Sequence, residues 1–281
     1  MNIIKFIESF TDENLLHQQS SRRHSFSQFG QLGKKAAAAA LPGGLLSLIM
    51  IPQRGSANIL STLDDATPIQ ALQLALTLEY LDSNFYEIGL STDGLIPEGR
   101  DKMVFERLVT NENVHKSTLI TALGGASSAN FIPEPNFDYT AGGMFDPFNN
   151  YDQFLAMAQA FEDTGVRAYK GQAHNLMSDQ NLLTTALQIH SAESRQAAAV
   201  RMLRNEKGWI TANQRGAGVP EAVQPVYNGE EMTTQMNINI ATLSNGSAGP
   251  ALMPTAASQA FDEPLTRDQV LAIAGMYIDQ P

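Results

Sequence analysis

Four long segments of the chain repeat apolar residues at alternating steps of three and four positions, which is the spacing of one face of an α-helix. We predict helices at about residues 67–90, 98–123, 150–177 and 179–205. Thr67 followed by Pro68 is a typical helix start. Gly124-Gly125 is a typical helix end. Strand signals are sparse, so the pattern predicts an all-α fold.

The connections between these helices predict how they are arranged. A short turn at Asp93-Gly94 joins the first two helices, and another short turn joins the last two. About 25 residues separate the second helix from the third. Two antiparallel helical hairpins joined by a long crossover form one class of four-helix bundle. The sequence therefore predicts a bundle of that class.

The rest of the chain divides into a leader and a tail. After Gly208 the sequence becomes irregular and rich in Gly, Pro, Ser, Thr and Asn. A last amphipathic pattern predicts a helix from Thr266 to Ile278 that packs on the bundle. We therefore predict three parts: a leader at 1–57, the bundle at 58–207 and a wrapping tail at 208–281.

Composition narrows the classes of partner. The 281 residues carry 18 basic and 29 acidic side chains, a net charge of -11, which argues against nucleic acid and acidic membrane surfaces as partners. Cysteine is absent, so disulfides and thiolate metal sites are excluded. No stretch of the body approaches the ~20 apolar residues of a membrane span, so none is expected in the mature chain.

The leader differs from the acidic body. Arg22-Arg23 precedes Lys34-Lys35, a modestly apolar run AAAAALPGGLLSLIMIP and the small residues Gly55-Ser56-Ala57. This order resembles a twin-arginine export signal, although the segment before the arginines is long and carries acidic residues. We therefore expect an exported protein of the periplasm or cell envelope. The alternative is a cytoplasmic protein with an N-terminal amphipathic helix.

Each predicted helix carries a glutamate near the middle of its inward stripe. These residues are Glu79, Glu112, Glu162 and Glu193. Burying four ionised carboxylates without compensation would cost far more than the ~5–15 kcal/mol net stability of a domain. The stripes carry no Lys or Arg nearby, so a pair of dications is the natural counter-charge. The alternative is a protonated or solvated polar seam.

Two of the glutamates are followed three positions later by a second polar residue, His115 after Glu112 and Gln196 after Glu193. Residues at this spacing lie side by side on a helix, so Glu112 and His115 could bind one ion together. Carboxylates can bridge two metal ions, and imidazole suits iron or manganese better than calcium. One such pair is a weak motif, but with glutamates on three other helices it becomes specific.

At these residues the chain resembles the ferritin-like superfamily of di-iron and di-manganese carboxylate bundles. More narrowly, it is similar to bacterial ferritin-like domain proteins related to desiccation-related proteins. The resemblance covers about residues 58–278, and these phrases carry it: ALQLALTLEYLDSNFY, ENVHKSTLITALGG, FEDTGVRAYKGQA, ALQIHSAESRQAAAVRML and the closing AFDEPLTRDQVLAIAG.

The resemblance implies a ligand set. Glu79 and Glu162 would be single-carboxylate ligands, Glu112 and His115 the first Glu-x-x-His pair, and Glu193 the glutamate of the second pair. Gln196 stands where that second pair would end in histidine. This departure puts the second metal ion in question. His190 is an alternative ligand, and its other interpretation is a hydrogen-bonded core histidine. Tyr86 and Tyr169 could donate hydrogen bonds to ligands, but the sequence favours simple core packing for both.

The function implied by the resemblance is iron binding with ferroxidase- or peroxide-linked redox chemistry, in which dioxygen or peroxide is the partner. No residue is assigned a catalytic role. A manganese catalase-like enzyme is one alternative. A non-catalytic envelope protein of stress or desiccation, with a degenerate metal site, is another. Homo-oligomerisation is left open.

Overall fold

Among residues 66–243 and 253–279, which the computed structural model describes, four long helices dominate. They are α1 (Pro68–Ser91), α2 (Arg100–Ala122), α3 (Tyr151–Gln172) and α4 (Gln180–Leu203). Each occupies a segment predicted from the apolar repeat, and the all-α prediction is confirmed. The predicted leader at 1–57 lies outside the described residues, so its role and the export stay predictions.

Polar side chains mark the helix starts. Thr67 Oγ1 accepts from the Gln70 backbone N–H at 3.2 Å, and Gln70 Oε1 accepts from the Thr67 N–H at 2.9 Å. This reciprocal capping box satisfies two donors that a helix start leaves free. Asn150 caps α3 and Asp179 caps α4, each by accepting backbone N–H hydrogen bonds with its own side-chain oxygen. The third helix ends earlier than predicted, because the chain tightens into a 3-10 turn at Ala173–Leu176.

The helices pack as two hairpins. α1 lies along α2, and α3 lies along α4. α1 and α3 also contact each other, whereas α2 and α4 are the neighbouring pair with the least contact. The predicted pairing is confirmed, and it follows from the short connections within each hairpin. In the described residues no helix has both the length and the apolar content needed to cross a membrane.

Closely packed aromatic rings form part of the core of the bundle. The Phe85 ring lies 4.7 Å from that of Phe154, 5.0 Å from that of Phe161 and 5.1 Å from that of Tyr139, measured between centroids. Aromatic pairs at these separations add stability beyond their buried area. Tyr139 belongs to the long crossover and donates to the Leu81 carbonyl at 2.8 Å, so the crossover is held against α1.

The tail after α4 packs on α3. It contains a 3-10 turn (Glu221–Val226), a two-residue hairpin of β1 (Thr234–Gln235) and β2 (Ile238–Asn239), a further 3-10 turn (Ile240–Thr242), α5 (Pro254–Ser258) and α6 (Arg267–Ala274). The terminal helix is shorter than predicted, because Ile278 pairs with Phe137 of the crossover in an isolated antiparallel bridge. Because the tail packs on it, α3 is buried along most of its length.

Gly171 allows the tail to approach α3 closely. A Cβ atom at this position would lie within 1.9 Å of the Leu265 carbonyl oxygen, which belongs to the backbone. We expect Gly171→Ala to lower the free energy of unfolding by about 1–3 kcal/mol, because one backbone must move. Urea unfolding followed by circular dichroism measures this. Helix propensity alone favours Ala by about 1 kcal/mol, so a stabilised variant would contradict the close approach.

Candidate metal centre

Side chains from three helices meet around one imidazole. Nδ1 of His115 lies 3.3 Å from Glu79 Oε2, 3.2 Å from Glu112 Oε2 and 3.1 Å from Glu193 Oε1. One ligand atom from each of these four residues lies within 4.8 Å of the others, and all four residues are buried. We call them the four-residue cluster. This geometry suits a single metal ion bound by oxygen and nitrogen.

Local sequence explains how the cluster forms. Glu112 and His115 are three positions apart on α2, so their side chains lie on the same face of the helix. Glu193 reaches the cluster from α4 because α3 carries a glycine opposite to it. A Cβ atom at Gly165 would lie 2.7 Å from Glu193 Oε2. The absent side chain therefore leaves room for a carboxylate.

Glu162 and Gln196 lie beside the cluster but outside it. Glu162 is fully buried on α3, and its Oε1 accepts a hydrogen bond from the Tyr86 hydroxyl at 2.7 Å. Gln196 Nε2 donates to Glu112 Oε1 at 2.6 Å, while Gln196 Oε1 accepts from Asn111 Nδ2 at 2.7 Å. Gln196 therefore presents an N–H donor to a carboxylate, in the orientation of a hydrogen-bond partner rather than a metal ligand.

The charges of the site are consistent with a bound cation. Glu162 Oε2 is buried and has no hydrogen-bond partner among the described residues, and Glu79 Oε2 is buried with His115 Nδ1 at 3.3 Å. The arginines buried in the described part of the chain are engaged elsewhere. Arg167 pairs with Glu230 and Arg201 with Asp163. A metal ion would compensate the buried carboxylates that these arginines do not reach.

Burial holds protons on these carboxylates. It raises the pKa of Glu79 to about 8, and the charge of Glu112 adds to the effect. Burial likewise raises the pKa of Glu193 to about 7, with a further contribution from Glu79. Burial by itself would lower the pKa of His115, but hydrogen bonds with Glu112, Glu193 and Glu79 raise that pKa overall. A metal ion entering the cluster would therefore displace protons.

Asp82 is a buried carboxyl group of the site that the helical stripes did not predict. This residue is buried on α1 one turn after Glu79, and its Oδ1 has no hydrogen-bond partner among the described residues. Burial, followed by the charges of Glu112, Glu193 and Glu79, raises its pKa well above the usual range. Glu79 and Asp82 have the same three-residue spacing as Glu112 and His115, and that spacing was the available signal.

Two tyrosines and one histidine can now be assigned. The hydroxyl of Tyr86 donates to Glu162, and that of Tyr169 donates to Glu79 Oε1. Both tyrosines therefore orient a predicted ligand, and core packing is only part of their role. His190 lies apart from the cluster, with its Nδ1 3.0 Å from the Val166 carbonyl oxygen. The structure supports its interpretation as a hydrogen-bonded core histidine and not as a replacement ligand.

Comparison with protein-family models agrees with the fold. Residues 67–206 match the family described as a ferritin-like domain. A search among curated proteins gave no match. The matched range contains all four long helices and all six predicted site residues, from Glu79 to Gln196. The chain therefore belongs to the ferritin-like superfamily.

Proposed function

We propose that the protein binds iron at Glu79, Glu112, His115 and Glu193 and uses it in ferroxidase- or peroxide-consuming chemistry. The observation that carries this proposal is the meeting of three buried carboxylates, from three helices, around one imidazole. A second ion would sit beside Glu162 and Gln196, more weakly because an amide replaces the expected imidazole. Manganese is the alternative metal for the same oxygen and nitrogen donors.

The chemistry requires electrons from the metal and protons from the chain. Bound iron supplies one-electron transfer between its ferrous and ferric forms. Reduction of one peroxide to two waters takes two electrons, one from each of two ferrous ions, and two protons. Glu79 and Glu193 hold protons near neutral pH, because burial raises the pKa of each. Tyr169 keeps the Glu79 carboxylate in place through its hydroxyl hydrogen bond.

A non-catalytic role is the second candidate, and Gln196 is the observation that favours it. Its Nε2 donates to Glu112 Oε1 at 2.6 Å and lies 3.4 Å from Glu193 Oε1. These hydrogen bonds stabilise the carboxylates without a second metal ion. Export to the cell envelope and a relation to desiccation-related proteins, both proposed from the sequence, fit either candidate.

Metal titration tests the proposal. Chelator-treated protein is titrated without oxygen with ferrous or manganous ion in a calorimeter. We expect tight binding by wild type and a loss of roughly 100-fold or more in Glu112→Ala, because losing even an outer partner of a ligand costs 10–100-fold. Glu106→Ala, at an exposed position of α2, is the matched control and should bind as wild type does.

The same samples then separate the two candidates. Ferrous-loaded protein is mixed with dioxygen or peroxide, and the absorbance of ferric ion is followed with time. Oxidation faster than in buffer, and lost in Glu112→Ala, supports the redox function. Bound metal without faster oxidation supports the non-catalytic role. Wild type that binds neither metal would contradict the redox function.

A further inference from the structure

The bundle contains a cavity of about 200 Å³ close to the four-residue cluster. It lies among all four long helices, toward the end where α1 begins and α2 ends. Its wall is mainly apolar and includes Leu72, Leu78, Leu119, Leu176 and Ala186. Protein interiors are close-packed, and a void of this size costs stability in proportion to its volume. An apolar cavity of about 150 Å³ stays dry and binds benzene, so this one has room for a slightly larger molecule.

One polar group in the wall lacks a partner. Gln172 lines the cavity and is only 5% exposed, and its Nε2 has no hydrogen-bond partner among the described residues. Its Oε1 accepts a hydrogen bond from Asn175 Nδ2 at 2.9 Å, and Nε2 is the end of the amide without a partner. A buried donor without an acceptor is costly. An occupant with an acceptor oxygen would remove that cost.

The exposed or half-buried part of the cavity wall includes Thr118 and Thr121 of α2 and Asn181 and Thr185 of α4. We infer that the entrance lies between these two helices. This is the neighbouring helix pair with the least contact. A small molecule could therefore enter by a modest separation of two helices, without unfolding of the hairpins.

We propose that this cavity is a binding site for a small, neutral, mainly apolar organic molecule that carries one acceptor oxygen. The oxygen accepts a hydrogen bond from Gln172 Nε2, and the apolar body packs against Leu72, Leu119 and Ala186. The Tyr169 ring forms part of the wall while its hydroxyl donates to Glu79. The occupant therefore lies against the tyrosine that orients a proposed metal ligand. The site goes beyond the proposed function, because binding requires no metal ion.

Two probes of the same shape test this site. Cyclohexanone has an acceptor oxygen where methylenecyclohexane has a CH₂ group. Binding of each to the full chain is measured with a chelator present, by NMR titration and by the shift in melting temperature. We expect the ratio of the cyclohexanone affinity to the methylenecyclohexane affinity to be roughly 5–10-fold higher in wild type than in Gln172→Leu, the contribution of one buried hydrogen bond.

Variants separate the amide from the cavity. Gln172→Leu should lower the affinity for cyclohexanone roughly 5–10-fold without lowering that for methylenecyclohexane. Gln188→Leu makes the same change at an exposed position of α4 and should leave both affinities unchanged. Ala186→Phe should fill the cavity and exclude both probes. If circular dichroism shows that Ala186→Phe does not fold, the variant Ala75→Leu, at another position of the cavity wall, is used in its place.

The outcomes that would overturn the proposal are specific. The same ratio of the two affinities in wild type and in Gln172→Leu would show that Gln172 recognises no acceptor. If neither probe bound, the cavity would hold water only. Because every measurement is made without metal, these results are independent of whether the cluster binds iron.

Discussion

The melting temperature of the protein in a chelator is expected to fall by roughly 10 °C as the pH rises from about 5.5 to about 8. Burial raises the folded-state pKa of Glu79 to about 8 and that of Glu193 to about 7, above the ordinary glutamate pKa of 4.5. Between the unfolded and folded values, the folded protein binds more protons than the unfolded chain. Stability is therefore present at low pH and is lost as the pH rises through the folded pKa values.

His115 acts in the same direction. Its pKa is raised in the folded state, because its hydrogen bonds with the three carboxylates outweigh burial. Its contribution to stability is thus present below the unfolded value of 6.5 and is lost only as the pH approaches the higher folded value. A pKa raised by one corresponds to about 1.4 kcal/mol of stability at a pH between the two values, so the raised pKa values of these groups together have a large effect.

Scanning calorimetry at a series of pH values measures this fall. Glu79→Gln should flatten the profile, because an amide does not titrate. Added ferrous or manganous ion should raise the melting temperature most at the high end of the range, where the ligands are deprotonated. A melting temperature that rises between about pH 5.5 and about pH 8 would contradict the prediction.

Arg167→Met is expected to destabilise the fold by about 3–5 kcal/mol. Arg167 Nε lies 2.8 Å from Glu230 Oε1, and each side chain is 1% exposed. The guanidinium also donates to the backbone carbonyls of Glu263 at 2.7 Å and Asn228 at 2.9 Å. Removing it leaves the Glu230 carboxylate and these carbonyls buried without compensation. Arg167 connects α3 to the tail, so protease cleavage within the tail should also become faster.

A double-mutant cycle isolates the ion pair. Arg167→Met combined with Glu230→Met removes both charges and should recover part of the lost stability, because paired apolar replacements are often tolerated. Arg195→Met, at an exposed arginine of α4, is the matched control and should change stability by about 0.5 kcal/mol or less. If urea unfolding gave Arg167→Met no larger effect than Arg195→Met, the structural role of the pair would be wrong.

The positions of the long helices could be predicted because the information is local. The apolar repeat, the caps at Thr67 and Asp179 and the lengths of the connections all act within a few turns of chain. The depth of Glu79, Glu112 and Glu193 within their helices could be predicted for the same reason. A polar residue at a position of an apolar stripe faces the core because the whole stripe faces the core.

Other features depended on contacts between distant segments. The helix from Thr266 was predicted to reach Ile278, but Ile278 pairs with Phe137, which lies far away in the sequence. Asp82 was not predicted because the apolar stripe continues from Glu79 equally well by a step of three residues, to Asp82, or by a step of four, to Ser83. His190 offered a second imidazole, and only packing showed that it contacts the Val166 carbonyl.

The amino-acid sequence by itself determined an all-α bundle of two hairpins with one glutamate at matching depth on each helix, because helix periodicity and loop length are properties of neighbouring residues. Only the tertiary structure decided which of those residues share a site. It brought Glu79, Glu112, His115 and Glu193 together and set Glu162 and Gln196 beside them. The physical reason is that small differences in helix rotation and packing, such as the room left at Gly165, decide which buried carboxylates meet.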